Sequence, residues 1–367
     1  MNLKRKLPWL LLLAVVVALA VVAAGCGGDE EEAAPPAETG VVETGAAPAE
    51  PPPPEPAPAE AIKVGLVTDT GGVDDRGFNE FSINALEQAA ADFGLETRVY
   101  VSNVAADYLP NLTSAAEDGN QLVLAVGFLL TPDTLTVAAE YPDVQFAGVD
   151  HFYAEPLPNT LGLLYPTEES GYLAGVVAAL MTKSGVVATT AGKQIPPVDN
   201  WIAGFQQAIL DTKPDVKFLN AYSDDFDDQA KCKEIALDQI GQGADIIFQV
   251  AGKCGLGALD AAKEKGVFGI GVDVDQSFAG PHILTSALKP LVASEYSVIQ
   301  SFVEGTFEGG QNVVFSAQTL PDPVLLTPFS ADVPQEVIDA VEVAKQKLIS
   351  GEIDPPATLG GVVGVGD

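Results

Sequence analysis

Basic side chains are scarce in this sequence: 18 Lys and Arg stand against 51 Asp and Glu, a formal charge of −33 over 367 residues. Binding a polyanion needs clustered cations, so nucleic acid is excluded as a partner. Histidine occurs twice, at His151 and His282, which leaves no zinc set and no obvious catalytic pair. His151 follows Asp150 and lies within reach of a strand end; a lone histidine of this kind is read as structural. Cysteine occurs three times, at Cys26, Cys232 and Cys254, too few for a small disulfide-built scaffold. The glycines from Gly252 to Gly257 lack the lysine and hydroxyl order of a phosphate loop. Neither a metal nor a cofactor is expected, and no catalytic residue is assigned.

What is present begins with a segment unlike the rest. Lys4, Arg5 and Lys6 precede an aliphatic run from Leu7 to Val22, and Ala23, Ala24 and Gly25 lead into Cys26. This is the charged, apolar and small-residue order of an export signal over residues 1–25. The run is also nearly long enough to span a bilayer, so a retained anchor is the alternative. The small residues before Cys26 resemble the lipobox of bacterial lipoproteins, with Ala23 where leucine is usual. Acyl chains on Cys26 would hold the mature protein on the extracytoplasmic face of the cell membrane without a spanning helix. Residues 26–60 form a Pro/Ala-rich stretch, with nine acids and no base from Asp29 to Glu60. Such a stretch buries too little apolar surface to offset its ordering entropy, so it reads as a disordered tether.

From Ile62 onward, short aliphatic runs alternate with segments of helical period. Near-continuous apolar strands alternating with helices imply parallel sheets covered on both faces. Apolar residues at 78, 83, 86, 90 and 93, followed by Gly94, predict a helix with a glycine C-cap. Thr131-Pro132 predicts a helix start with a capping hydroxyl. KVGLVTDTGG, at the start of this region, is echoed by SGVVATTAGK, Ser184 to Lys193. The echo divides the chain into two α/β lobes, 61–183 and 184–288, with 289–367 crossing back to complete both.

In open parallel sheets, ligands bind beyond the carboxyl ends of the strands. Asp69, Asp150, Gly252 and Asp273 follow four such strands. Each aspartate could also serve as a helix cap or turn former, but three of them at one cleft are suited to hydrogen-bonding a shared ligand. Phe78, at the start of the first helix, is either core or a plate that stacks on a flat ligand.

The blocks DTGGVDDRGFNE, IPPVDNWIAGF, YSDDFDDQAKCKEIA, ADIIFQVAGKCGLGALDAAKEKG, GVDVDQ and ILTSALK, in this order, resemble the basic membrane protein family of ABC-transporter substrate-binding lipoproteins, among them purine nucleoside receptors. The resemblance covers Ile62 to at least Lys289. It implies a two-lobed type I periplasmic-binding-protein fold that captures a purine nucleoside or similar neutral molecule and delivers it to a permease and its ATPase. By this resemblance, Asp69 and Asp150 hold the nucleobase edges and Phe78 stacks on its face. Asp273 and Lys289 hold the ribose hydroxyls, and Gly252 lets the backbone approach. A second plate is Trp201, Tyr222 or Phe226, with Phe226 preferred. Arg76-Gly77 replaces the family's usual Lys-Ser pair, outside the expected contact set.

Two other readings compete. TDTGGVDD is a near match to the calcium-binding aspartate cluster of nucleoside hydrolases, with Val67 in place of the first aspartate and Gly72 disturbing the spacing. A lipoprotein that senses its ligand without transporting it is the other. Cys232 and Cys254 fall on the same rim of the second lobe, and an exported location permits a disulfide between them; two buried thiols are the alternative.

Overall fold

The computed structural model describes residues 61–361; the export segment, Cys26 and the tether lie outside the described residues. The first half runs β1 (Lys63–Val67), α1 (Phe78–Phe93), β2 (Glu96–Tyr100), α2 (Tyr108–Glu117), β3 (Leu122–Val126), α3 (Thr131–Glu140), β4 (Gln145–Val149) and β5 (Thr160–Leu164). The second half runs α4 (Thr167–Met181), β6 (Val186–Ala191), α5 (Pro196–Thr212), β7 (Lys217–Tyr222), α6 (Gln229–Gly241), β8 (Ile246–Val250), α7 (Gly252–Lys265), β9 (Phe268–Asp273) and β10 (Ile283–Leu288). It is followed by α8 (Leu291–Val303), β11 (Gln311–Val314) and α9 (Gln335–Ser350).

Two parallel sheets result, ordered β11-β5-β4-β3-β1-β2 and β10-β9-β8-β6-β7. The echoed segments β1 and β6 each pair with the next strand on one side and with the next but one on the other. One winding is thus repeated in each lobe, and both lobes aim their strand carboxyl ends at a shared crevice. This is the two-lobed type I periplasmic-binding-protein fold.

Four apolar clusters cover the four sheet faces. α1 and α8 pack on one face of the first sheet, and α2 and α3 on the other. α4, α5 and α9 pack on one face of the second, and α6 and α7 on its reverse. Central strands such as β3 and β8 are buried throughout, as fully covered parallel strands must be.

Three features differ from the sequence expectations. α4 falls within residues 61–183 but packs into the core of the second sheet. The chain therefore passes between lobes near Pro166, Pro290 and Ser316. These crossings are tied together: the Ser170 hydroxyl donates to the Leu288 carbonyl at 2.9 Å, and the Ala317 amide donates to Glu169 at 2.7 Å. The short strand β11 was not expected at all; it extends the edge of the first sheet beside β5. Thr131 does begin α3, but its hydroxyl donates to the Phe128 carbonyl at 2.7 Å instead of accepting from helix amides. A 3-10 turn over Phe128–Leu130 runs directly into α3 and takes up that hydroxyl. α1 spans the expected residues, and Gly94 closes it in the left-handed conformation.

Cys232 on α6 and Cys254 on α7 are disulfide-bonded, with Cα atoms 5.5 Å apart. The bond pins the start of α7, which adjoins the crevice.

α4 and α5 touch backbone to backbone. A Cβ added to Gly204 would lie 2.0 Å from the Glu168 carbonyl oxygen, so the helix carrying Trp201 sits as deep as it does only because residue 204 has no side chain. Gly204→Ala is expected to lower the melting temperature: overpacking costs about 1–3 kcal/mol, more than the ~1 kcal/mol that alanine gains in a helix. Differential scanning calorimetry reads the change, and an unchanged or higher Tm would show that the two helices are free to separate.

Candidate functional site

A crevice lies where the strand ends of both sheets meet; its empty space, about 610 Å³, includes volume open to solvent. Asp69, Phe78, Asp150, Phe226, Gly252, Asp273 and Lys289, all singled out in the sequence, line it together. So do Asp75, Asn79 and Trp201, along with apolar residues including Phe128, Leu129, Ile195, Val198 and Val272.

Asp69 leaves the end of β1 almost fully buried. Its Oδ1 accepts from the Gly71 amide at 3.0 Å and the Asn79 side-chain amide at 2.8 Å. Gly127, at φ 113°, lies against it: a Cβ there would come 2.8 Å from Asp69 Oδ2. Burial pushes the Asp69 carboxyl up to about 6, against the lowering effect of those two donors.

Asp75 does the work of a helix cap. Its carboxylate accepts from the amides of Gly77, Asn79 and Glu80 at 2.9–3.0 Å, and so fixes the start of α1, where Phe78 and Asn79 face the cavity. Sequence reading missed Asn79. It is 1 % exposed and its Oδ1 has no hydrogen-bond partner, an unpaired acceptor in a cavity wall. The DDRGFN block was visible, but nothing in it distinguishes this asparagine from an ordinary polar residue on a helix.

Asp150 and Asp273 end β4 and β9, equivalent strands of the two lobes, and both are left-handed at φ 65° and 64°. Such strain in non-glycine residues is concentrated at functional sites. Between them lies Lys289, 6 % exposed. Its Nζ lies 2.7 and 3.0 Å from the Asp150 oxygens and 4.0 Å from Asp273 Oδ1. It also lies 4.9 Å from the centre of the Phe78 ring and 5.2 Å from that of Tyr165. The resemblance pairs Asp150 with Asp69 on the nucleobase, but both Asp150 oxygens are engaged by Lys289, which leaves it a weaker acceptor for a ligand. Asp273 is pushed up to about 6, mainly by burial and despite the pull of Lys289.

Phe226 lies in the loop after β7, its carbonyl accepting from the Cys254 amide at 2.9 Å. Its ring covers Gly192, where a Cβ would come within 2.3 Å. Gly252 begins α7 at φ 55°, directly beneath Phe226. Of the three aromatic candidates, Trp201 and Phe226 line the cavity. Tyr222 is directed elsewhere, its hydroxyl donating to Asp199 at 2.6 Å. His151 is wholly buried, bonded to the Tyr153 hydroxyl and the Gly127 carbonyl, each at 2.8 Å. Burial lowers its pKa to about 4, so it acts as a neutral brace beneath Asp150. Two of the three aspartates of TDTGGVDD are likewise committed, Asp75 to helix amides and Asp74 to Lys253 at 3.1 Å; Asp69 remains toward the cavity.

The cavity can therefore offer hydrogen-bond acceptors from Asp69, Asn79 and Asp273, one ammonium already shared between carboxylates, and flat aromatic surface. Four carboxylates against one lysine disfavour phosphate and suit an uncharged molecule rich in N–H and O–H groups.

Comparison with known proteins agrees with this geometry. A family model described as ABC transporter substrate-binding protein, PnrA-like, matches residues 62–358. The ABC transporter nucleoside-binding protein BmpA of Lactococcus lactis subsp. cremoris is 30% identical over 318 residues, covering 81% of this chain and 89% of that protein. The solved ABC transporter solute-binding protein of Aeropyrum pernix K1 is 25% identical, with a TM-score of 0.72 over 81% of this chain and 94% of its own. That of Conexibacter woesei DSM 14684 is 27% identical, with a TM-score of 0.65 over 81% and 99%. No helix among the described residues is long and apolar enough to cross a membrane. The chain belongs to the Bmp family of PnrA-like ABC transporter substrate-binding proteins.

Proposed function

We propose that this protein captures a purine nucleoside between its lobes and hands it, chemically unchanged, to a membrane permease driven by an ATPase, while Cys26 holds it to the membrane by lipid. The observation that carries the reading is the meeting of Asp69, Asp273 and Lys289 with Phe78 and Phe226 in one crevice. The nucleoside-binding name of the Lactococcus relative supports it.

Asp69 and the unpaired Asn79 oxygen suit the N–H donors on a purine edge. Phe78 and either Phe226 or Trp201 supply stacking, worth roughly 0.5–1.5 kcal/mol beyond burial. Asp273 and Lys289 suit the ribose hydroxyls. Micromolar binding requires about 8 kcal/mol, more than one plate supplies, so several charged hydrogen bonds must act together. A 5′-phosphate would meet an excess of carboxylate and an ammonium already engaged.

Calorimetry with adenosine, guanosine, inosine, cytidine, ribose and AMP tests the assignment. A purine nucleoside is expected to bind at micromolar Kd or tighter, and AMP at least about tenfold more weakly, the discrimination that ~1.4 kcal/mol of repulsion gives. Binding of ribose without any nucleoside would make this a sugar receptor, and silence across the panel would remove the nucleoside reading. Asp273→Asn is expected to weaken nucleoside binding by roughly 10- to 100-fold, since a hydrogen bond to a charged group is worth about 1.5–3 kcal/mol; an unchanged Kd would take Asp273 out of the contact set.

The buried carboxylates also set a pH dependence. Asp69 and Asp273 are raised to about 6, and ligand donors favour their ionised forms, so binding displaces the protons held below that pH. Affinity is expected to be level above pH 7 and to fall by about tenfold per carboxylate by pH 5. Stability of the unliganded protein runs the other way. Because the folded values lie above that of an ordinary aspartate, the cost of these charges grows as pH rises from about 4 to 6 and is full above it. Asp69→Asn should therefore raise Tm at pH 8 while weakening binding, and a lower Tm would refute the assigned cost.

A further inference from the structure

The loop from Gly71 to Gly77 does more than join β1 to α1. Its ends are held within lobe one, by the Gly71 amide on Asp69 and by Asp75 on the first amides of α1. Its middle reaches the other lobe in two places. Asp74 lies 3.1 Å from Lys253 Nζ, which lies equally close to Asp227 at 3.1 Å. The Arg76 guanidinium lies 3.6 Å from the centre of the Phe278 ring, in a 3-10 turn between β9 and β10. Arg76 has a left-handed backbone, φ 51°, which is unfavourable for a side chain with a Cβ.

Each partner on lobe two adjoins the cavity. Lys253 lies between Gly252 and Cys254, and Asp227 follows Phe226. The disulfide fixes the first turn of α7, so Lys253 projects from a covalently pinned base. On lobe one, Asp74 and Arg76 flank Asp75, whose carboxylate places Phe78 and Asn79. Pulling on this loop therefore pulls on the start of α1.

We propose that Asp74 and Arg76 are positioning residues: through Lys253 and Phe278 they strap lobe one to lobe two, lengthening the residence of a bound ligand they do not touch. The two contacts differ physically. Lys253 stands between two carboxylates, and without it Asp74 and Asp227 would repel one another across the crevice. The pair is exposed and so weakened by salt. The stack of a planar guanidinium on an aromatic face depends much less on ionic strength. Both must part whenever the lobes separate, so both act on the release step before the capture step.

The test uses the full chain carrying Arg76→Ala, Phe278→Ala, Phe278→Tyr, Lys253→Met and the isosteric Asp74→Asn, with inosine as probe. Stopped-flow fluorescence is expected to show release speeded about three- to tenfold in Arg76→Ala, Phe278→Ala, Lys253→Met and Asp74→Asn, with association within twofold of the parent. Phe278→Tyr should restore the parent rate. The Arg76→Ala/Phe278→Ala double variant should be no faster than either single. In 1 M NaCl the Lys253→Met difference should vanish and the Arg76→Ala difference persist. Release within twofold of the parent in all variants, or additivity in the double variant, would overturn the proposal.

A separate readout needs no ligand. Energy transfer between dyes on Glu140→Cys and Glu234→Cys, exposed positions on α3 and α6, reports lobe separation. The closed population should fall in the same four variants. If inosine does not bind, the nucleoside reading falls while this measurement still decides the strap: an unchanged dye separation overturns it.

Discussion

The site is organised around one buried ammonium. Lys289 has too little contact with water to be solvated, and an unpaired charge in such a place would cost several kcal/mol. Its compensation comes from Asp150 in one lobe and Asp273 in the other, so a single charge joins the two lobes at the base of the crevice. The matching left-handed backbones of Asp150 and Asp273 follow from the repeated winding. Each is the residue at which a strand ends and the chain turns away over the crevice, and each must aim a carboxylate back toward Lys289. With the lysine satisfied in this way, Asp69 and Asp75 are left as the cavity carboxylates whose partners are only neutral amides, and those of Asp75 are spent on the helix start.

That arrangement explains why the cavity is poised for a neutral, donor-rich guest. Asp69 and Asp273 are buried and pushed up to about 6, which means that at neutral pH they are held charged against their own solvation. The strain is local, and four apolar clusters around the two sheets carry it. A ligand hydroxyl or ring N–H placed between them relieves part of that cost, so the binding energy is drawn from groups the fold has already paid to bury. Mutations that make the cavity more comfortable without a ligand should therefore make it worse at holding one.

Much of this was legible in the sequence, for identifiable reasons. Aliphatic strands covered on both faces leave a period that no surface element imitates, and the carboxyl end of such a strand is a defined place; Asp69, Asp150, Gly252 and Asp273 were found that way. Phe226 and Lys289 came only from the resemblance, since an aromatic in an acidic loop and a lysine after a strand look like surface residues. What stayed hidden depends on partners distant in sequence. α4 is apolar on nearly all sides, so its pattern does not say which sheet it covers. β11 is four residues at an edge, QNVV, too short for alternation to register. Asn79 differs from a solvated helix residue only because Asp75 turns the helix start inward, and the hydroxyl of Thr131 was diverted by a turn that the pattern around Phe128 does not announce. Arg76 is expected outside the contact set and does not line the cavity; its partner Phe278 lies some two hundred residues away in sequence.

The strength of a contact and its place relative to the hinge have different consequences. Lys289 stands one residue before a crossing peptide, so its strong buried pairing shifts little when the lobes swing about the crossings. Asp74 and Arg76 stand in a loop that no crossing passes through, and hinge opening must separate them from Lys253 and Phe278. Strong bonds there would trap the ligand. An exposed, salt-screened ion pair and a cation–π contact are each weak, enough together to bias closure yet small beside the ~8 kcal/mol of a micromolar ligand. A substrate-binding protein that must let its ligand go is suited by this division, with the strong pairing kept near the pivot and only weak contacts spanning the opening.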